Sequence, residues 1–300
     1  MNRKMLQIIA LIFAVVMLSA SACAVEFTDA NGRTVSVDNP QCVVSLYGSY
    51  GDVWQISGGT LAGTTSDALT DETAAEIQNL GSHTEPNMEL LFSLNPDFVI
   101  LSADSAEQVE IGARLDEADI PHAYFSYQDW RGYMDMVELF TQITGRSDIY
   151  EEQMENLEEP ILSMIEEANA DPERPTALLL RAYSTNVRAK GSEGTVAGCI
   201  LKDMGFINVA DGDSPLSENL SMEAILVADP DYIFVTTMGS STDAALESLA
   251  NLLTNNPAWA TLTAVQEDHF FVLEKELFHQ HPNARWAEAY AIIRDILLGE

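Results

Sequence analysis

NMELLFSLNPDFVIL, from Asn87 to Leu101, returns in the second half of the chain as SMEAILVADPDYIFV, from Ser221 to Val235. In each copy a residue able to cap a helix, Asn87 or Ser221, stands before Met-Glu, and an apolar run follows. Asn95-Pro96-Asp97 or Asp229-Pro230-Asp231 then turns the chain into an apolar strand. One helix–turn–strand unit is therefore used twice, far apart in sequence, as expected of two similar lobes.

The surroundings of each copy support this. In the first half, Val43 to Tyr47, Phe98 to Leu101 and Ala123 to Phe125 read as strands, alternating with helical patterns such as Glu107 to Asp119. In the second, Ala177 to Leu180, Phe206 to Val209, Tyr232 to Thr236 and Phe270 to Leu273 read as strands. Helical patterns at Thr195 to Met204 and Thr242 to Leu253 lie between them. Strand–helix alternation predicts an α/β fold: two Rossmann-like lobes with central, mainly parallel sheets and a ligand cleft between them. A chain of 300 residues is long for one core and agrees with two.

Between the halves, SDIYEEQMENLEEPILSMIEEANADPERP spaces Ile149, Met154, Leu157, Ile161, Leu162 and Ile165 at mostly three- and four-residue intervals. This predicts a single long joining helix, opened by Ser147-Asp148, stopped by Asp171-Pro172 and kinked at Pro160. The expected division is a signal peptide over 1–22, an N-terminal lobe over 23–145, the joining helix over 146–171 and a C-terminal lobe over 172–300.

The signal reading rests on Arg3 and Lys4, the apolar stretch Met5 to Leu18, and the small residues Ser19 to Ala22 before Cys23. Cleavage before Cys23 would leave an N-terminal cysteine for acylation, as in bacterial lipoproteins, although Ala20 stands where the usual lipobox has Leu. Plain secretion after Ala22 or Ala24 is the alternative. Cys42 and Cys199 lie in different halves, too few for a disulfide framework, and read as small buried hydrophobes.

With 14 basic against 47 acidic residues, the net charge of -33 would repel a phosphate backbone, so nucleic acid is not expected as a partner. No nucleophile elbow or P-loop is present, and GGTLAG at Gly58 to Gly63 lacks dinucleotide spacing, so no catalytic residue is assigned.

Loops after the strands are the candidate ligand contacts. YGSYGDVW offers Tyr47, Ser49 and Tyr50 among glycines, and GSHTEPN offers His83 and Thr84. RAYSTNVRAKGS gathers Arg181, Arg188 and Lys190 around Tyr183 in a chain poor in base. That pattern suits an anionic group, or else local salt bridges. ELFHQHPNARWAEAY brings His279, His281, Arg285 and Trp286 to the start of a helix; two imidazoles do not make a stand-alone metal site. Lys275 reads as an ordinary surface lysine.

Together with DANGRTVSV (29–37), LKDMGFINVAD (201–211) and NPAWATLTAVQEDHFFVL (256–273), the repeats resemble the class III solute-binding proteins of ABC importers for iron-siderophores, haem and cobalamin. The resemblance covers nearly the whole mature chain and rests on the order of its motifs. It implies a non-enzymatic, extracytoplasmic monomer that captures a metal chelate, ferric siderophore first, then haem or a corrinoid. It also implies delivery to a permease whose arginines meet Glu89 and Glu223. Read from the residues alone, those acids complement two helix dipoles. A free zinc or manganese binder and a secreted α/β enzyme are the alternatives.

Overall fold

The computed structural model describes residues 24–70, 73–170, 172–218, 220–239, 241–279 and 281–299. The expected signal segment and Cys23 lie outside the described residues. A short hairpin of β1 (Val25–Thr28) and β2 (Thr34–Val37) leads into a sheet of β3 (Val43–Ser45), β4 (Gly63–Thr64), β5 (Gln78–Asn79), β6 (Phe98–Ser102) and β7 (His122–Phe125). Its order is β5-β4-β3-β6-β7, every pairing parallel. The second sheet contains β8 (Thr176–Ala182), β9 (Val187–Lys190), β10 (Ile207–Asn208), β11 (Tyr232–Thr237) and β12 (Phe270–Val272). Here β10-β8-β11-β12 run parallel, and β9 folds back antiparallel on the carboxyl half of β8. Parallel strands need crossovers, and the helices Ala106–Glu117, Val196–Asp203 and Thr242–Leu249 supply three of them.

The repeat occupies equivalent places. Helices Met88–Ser93 and Met222–Ala228 begin under Asn87 and Ser221, whose side chains accept from Leu90 N and Ala224 N. Each leads to the strand beside the first strand of its sheet: β6 beside β3, β11 beside β8. The Asp after each proline explains why the motif ends as it does. Asp97 accepts from Gln41 N and Cys42 N at 2.7 and 2.8 Å, just before β3. Asp231 accepts from Thr176 N and Oγ1, both at 2.7 Å, at the start of β8. In both lobes one carboxylate pins neighbouring strands at their amino ends.

Side chains alternate along the central strands. Val99 and Leu101 belong to an apolar cluster confined to the N-terminal lobe, and Ile233 and Val235 to one confined to the C-terminal lobe. The opposite rows, Phe98 and Ile100, Ala177 and Leu179, Tyr232 and Phe234, merge into one cluster spanning both lobes. The expected joining helix contributes Leu157, Ile161 and Met164 to it, and the last helix, Trp286–Leu298, contributes Trp286, Tyr290 and Ile293.

The joining segment is helical from Ser147 to Ala168 without a break, about 33 Å at 1.5 Å per residue. Pro160, expected to kink it, follows a π-helical stretch at Met154–Glu158. Widening the turn there accommodates the missing amide donor and the bulk of the ring.

Candidate functional site

A cavity of about 430 Å³ opens beyond the carboxyl ends of the strands, between the lobes. After β3, Tyr47 lines it from the cap of the helix Gly48–Ile56, and Ser49 and Asp52 from the helix itself; after β4, Asp67 does, and after β5, His83. From the other lobe come Met238, directly after β11, with His279 and His281. Gly48 permits this closure: a Cβ there would lie 2.9 Å from Asp67 Oδ2 and 3.0 Å from the Ala68 Cβ.

An aromatic layer supports the floor. The Tyr47 and Tyr50 rings are 4.5 Å apart, and the Tyr127 and His281 rings 4.3 Å apart. Tyr50 is fully buried in this layer, beneath the lining. Gln108, also buried, donates to the Leu46 and His83 carbonyls and accepts from Ser102 N, fixing the His83 loop against two strand ends. His281 Nε2 lies 2.9 Å from the Tyr127 carbonyl, so the proton sits on Nε2 and Nδ1 is left as an acceptor. Burial lowers the pKa of His281 despite that bond.

His279 is displaced further, to about 4, first by burial and then by the charges of Arg181, Lys275, His281 and Lys190. Its Nδ1 is buried without a partner, so at neutral pH an uncharged imidazole borders the cavity. Asp52 moves the other way, up to about 6, through lost hydration inside the cleft and then the charge of Asp67. Its side chain nevertheless remains open to solvent at the cavity surface.

The basic cluster sits on a hairpin whose second strand, β9, has no counterpart among the strands expected from sequence. Arg181 pairs directly with Arg188, and Leu179 with Lys190, so all three cations share one sheet face. Arg181 continues the inner row of Ala177 and Leu179 toward the cleft. Among the described residues none of the three forms a salt bridge, and Arg181 Nε is buried without a partner.

Tyr47, Ser49, His83, His279 and His281 thus meet at one cavity, with Arg181 and Lys190 close enough to act on His279. Other expected contacts lie elsewhere. Thr84 is exposed on the loop, bonded to Ser82. Tyr183 lies 6.0 Å beneath the exposed Arg188 guanidinium. Arg285 is held by Glu288 and Glu274, and Trp286 is wholly buried, because the final helix turns that end of the segment into the shared core. Lys275 is no free surface lysine; its Nζ donates to the Gly239 carbonyl at 2.6 Å, beside Met238. Cys42 and Cys199 are free thiols, half-buried where full burial was expected.

Sequence reading missed Asp52, Asp67 and Met238. Asp52 lay inside a stretch already singled out, three residues from Ser49; Asp67 and Met238 carried no signal without the strand ends. Glu89 and Glu223 are exposed in the first turns of the paired helices. Among the described residues no group of three His, Cys, Asp or Glu side chains could hold a metal ion, and no helix is long and apolar enough to cross a membrane.

Residues 43–277 match the family described as periplasmic binding protein. The chain is 24% identical over 279 residues to the Fe(3+)-citrate-binding protein YfmC of Bacillus subtilis, covering 90% of this chain and 84% of that one. Among solved structures, an ABC transporter substrate-binding protein from Listeria monocytogenes superposes with a TM-score of 0.71 at 19% identity, covering 88% of this chain and 100% of that chain. Staphylococcus aureus SirA complexed with staphyloferrin B gives 0.68 at 20% identity, over 92% and 97%. With two pseudo-equivalent lobes, a cavity at their strand ends and a family match over most of its length, the chain belongs to the periplasmic binding protein family.

Proposed function

We propose that this chain is the extracytoplasmic substrate-binding component of an ABC importer, taking an iron chelate into the interlobe cavity and presenting it to a permease. The observation that carries this reading is the set of unpaired cations in a chain with net charge -33: Arg181 and Lys190 close to the cavity, with Arg188 next to Arg181 on the same sheet face. Surplus acid would neutralise such groups unless they were kept for an anion, and a ferric carboxylate chelate is an anion with several oxygens to offer them. The iron-citrate relative and the siderophore-bound neighbour point the same way.

Haem is a second reading, favoured by His279, an uncharged imidazole with a free buried Nδ1 at the cavity. On the same reading Glu89 and Glu223 dock on permease arginines, and Cys23 is acylated to hold a monomer at the membrane. The lobes divide at 23–145 and 172–300 about the joining helix.

Fluorescence titration of the purified protein with ferric citrate and with haemin separates the two ligands. Ferric citrate binding that weakens by about 1.5–3 kcal/mol in Arg181→Ala and Lys190→Ala supports the chelate reading. Arg174, bonded to Asn169 before β8 and so at the end of the sheet away from the cavity, serves as the control. A Soret shift with haemin alone favours haem, and binding of neither ligand refutes both haem and ferric citrate as the ligand.

A further inference from the structure

Two carboxylates line the cavity, cations lie close behind its His279, and the two sets do not neutralise each other. Asp52 and Asp67 come from the N-terminal lobe, and among the described residues neither forms a salt bridge or a side-chain hydrogen bond. Their proximity to one another is unfavourable, since Asp67 helps to raise the Asp52 pKa. Arg181, Lys190 and Lys275 act on His279 from the C-terminal lobe. The His279 and His281 imidazoles line the cavity as well, both shifted toward the neutral form. Two buried atoms here, Arg181 Nε and His279 Nδ1, have no partner. A purely anionic ligand would satisfy the cations and leave both carboxylates facing negative charge, which costs affinity.

Resting on the chelate reading, we propose that the ligand is amphoteric: an anionic ferric chelate that also carries a protonated amine, the amine held by Asp52 and Asp67. Its carboxylate end lies toward Arg181 and Lys190. The amine relieves the repulsion between the two aspartates, so part of its affinity comes from a cost already present in the empty cavity. This orientation also separates the class from haem, whose charged groups are carboxylates only and would leave Asp52 and Asp67 without a partner.

The test uses ferric complexes of two carboxylate chelators identical except that one bears a free primary amine and the other its N-acetyl derivative, with ferric citrate as a third ligand. Affinities are measured at pH 7.5, where Asp52 is ionised, for the wild type and for Asp52→Asn/Asp67→Asn. The wild type should prefer the free amine by about tenfold, the size of one charge-assisted contact, and the double variant should lose that preference. Equal affinity for the two forms in the wild type overturns the inference, as does a preference that survives in the double variant. Binding of ferric citrate with neither of the paired chelators overturns the inference alone. Failure of all three ligands to bind overturns the chelate reading with it.

Discussion

Replacing Asp52 with Asn in the empty protein should make it more stable at neutral pH, which is unusual for a charged residue on an open surface. The folded carboxyl titrates near 6, against an ordinary 3.8, because the cleft strips it of water and Asp67 stands close. That displacement corresponds to at most about 3 kcal/mol of disfavour for the charged form. The side chain remains open to the cleft solvent, so screening reduces the figure to about 1 kcal/mol. The sign follows from proton linkage: between about pH 4 and 6 the native state keeps a proton that the unfolded state has released. Wild-type stability therefore falls as pH rises through that window, while the Asn variant escapes the fall. Melting curves by circular dichroism should show Asp52→Asn melting about 2 °C higher at pH 7.5, with the gap closing by pH 4. A variant equal to or less stable than wild type at pH 7.5 would refute the repulsive carboxylate pair. A gain of equal size at pH 4 would also refute it, since it would have nothing to do with charge.

Three further outcomes follow from the repeat and the chain start. Glu89→Arg and Glu223→Arg should each abolish chelate uptake in cells while leaving the affinity of the isolated protein unchanged, and lost affinity would place these acids in ligand binding instead. Asp231→Ala removes both hydrogen bonds that its carboxylate accepts from Thr176 and should cost about 2–3 kcal/mol in urea unfolding, with Asp97→Ala costing a similar amount; a negligible loss at both sites would show that the strand ends hold without them. Cys23→Ala should shift the protein from the membrane fraction to the soluble one, and unchanged fractionation with a mature start at Val25 would exclude the anchor.

The fold was legible because its signals are local and repeated. Apolar strands bounded by Pro-Asp turns and capped helices at matching positions need no tertiary information to read. Even so, β9 escaped, because Asn186 to Lys190 offers two apolar residues among polar ones and becomes a strand only by pairing with β8. The site was legible where residue type and loop position coincided, as at Tyr47, Ser49, His83, His279 and His281. It failed in the C-terminal segment, where His281, Arg285 and Trp286 lie within six residues. A 3-10 turn at Asn283–Arg285 sends them to the cavity, the surface and the core in turn. It failed for Asp67 too, since one aspartate among 47 acidic residues acquires meaning only from the strand end beside it.

Two bridges between the lobes bear on how such a protein is read from outside. Near the cavity, Tyr127 donates to Asn283 Oδ1, while Asn283 Nδ2 donates to the Ser49 carbonyl at 3.0 Å. Elsewhere, Asp203 accepts from Arg131 at 2.9 Å and from the Tyr290 hydroxyl at 2.7 Å, so helices of both lobes and the last helix meet on one carboxylate. With a common apolar core besides, the halves are fastened on more than one side, and a wide swing would break several contacts at once. This fastening predicts that the body keeps nearly one outline, so that the distance between Glu89 and Glu223 carries little news of whether the cavity is full. On the docking reading an empty molecule offers a permease the same two handles as a loaded one. Excess empty protein then occupies the transporter unproductively, and import should slow when binding protein outnumbers chelate.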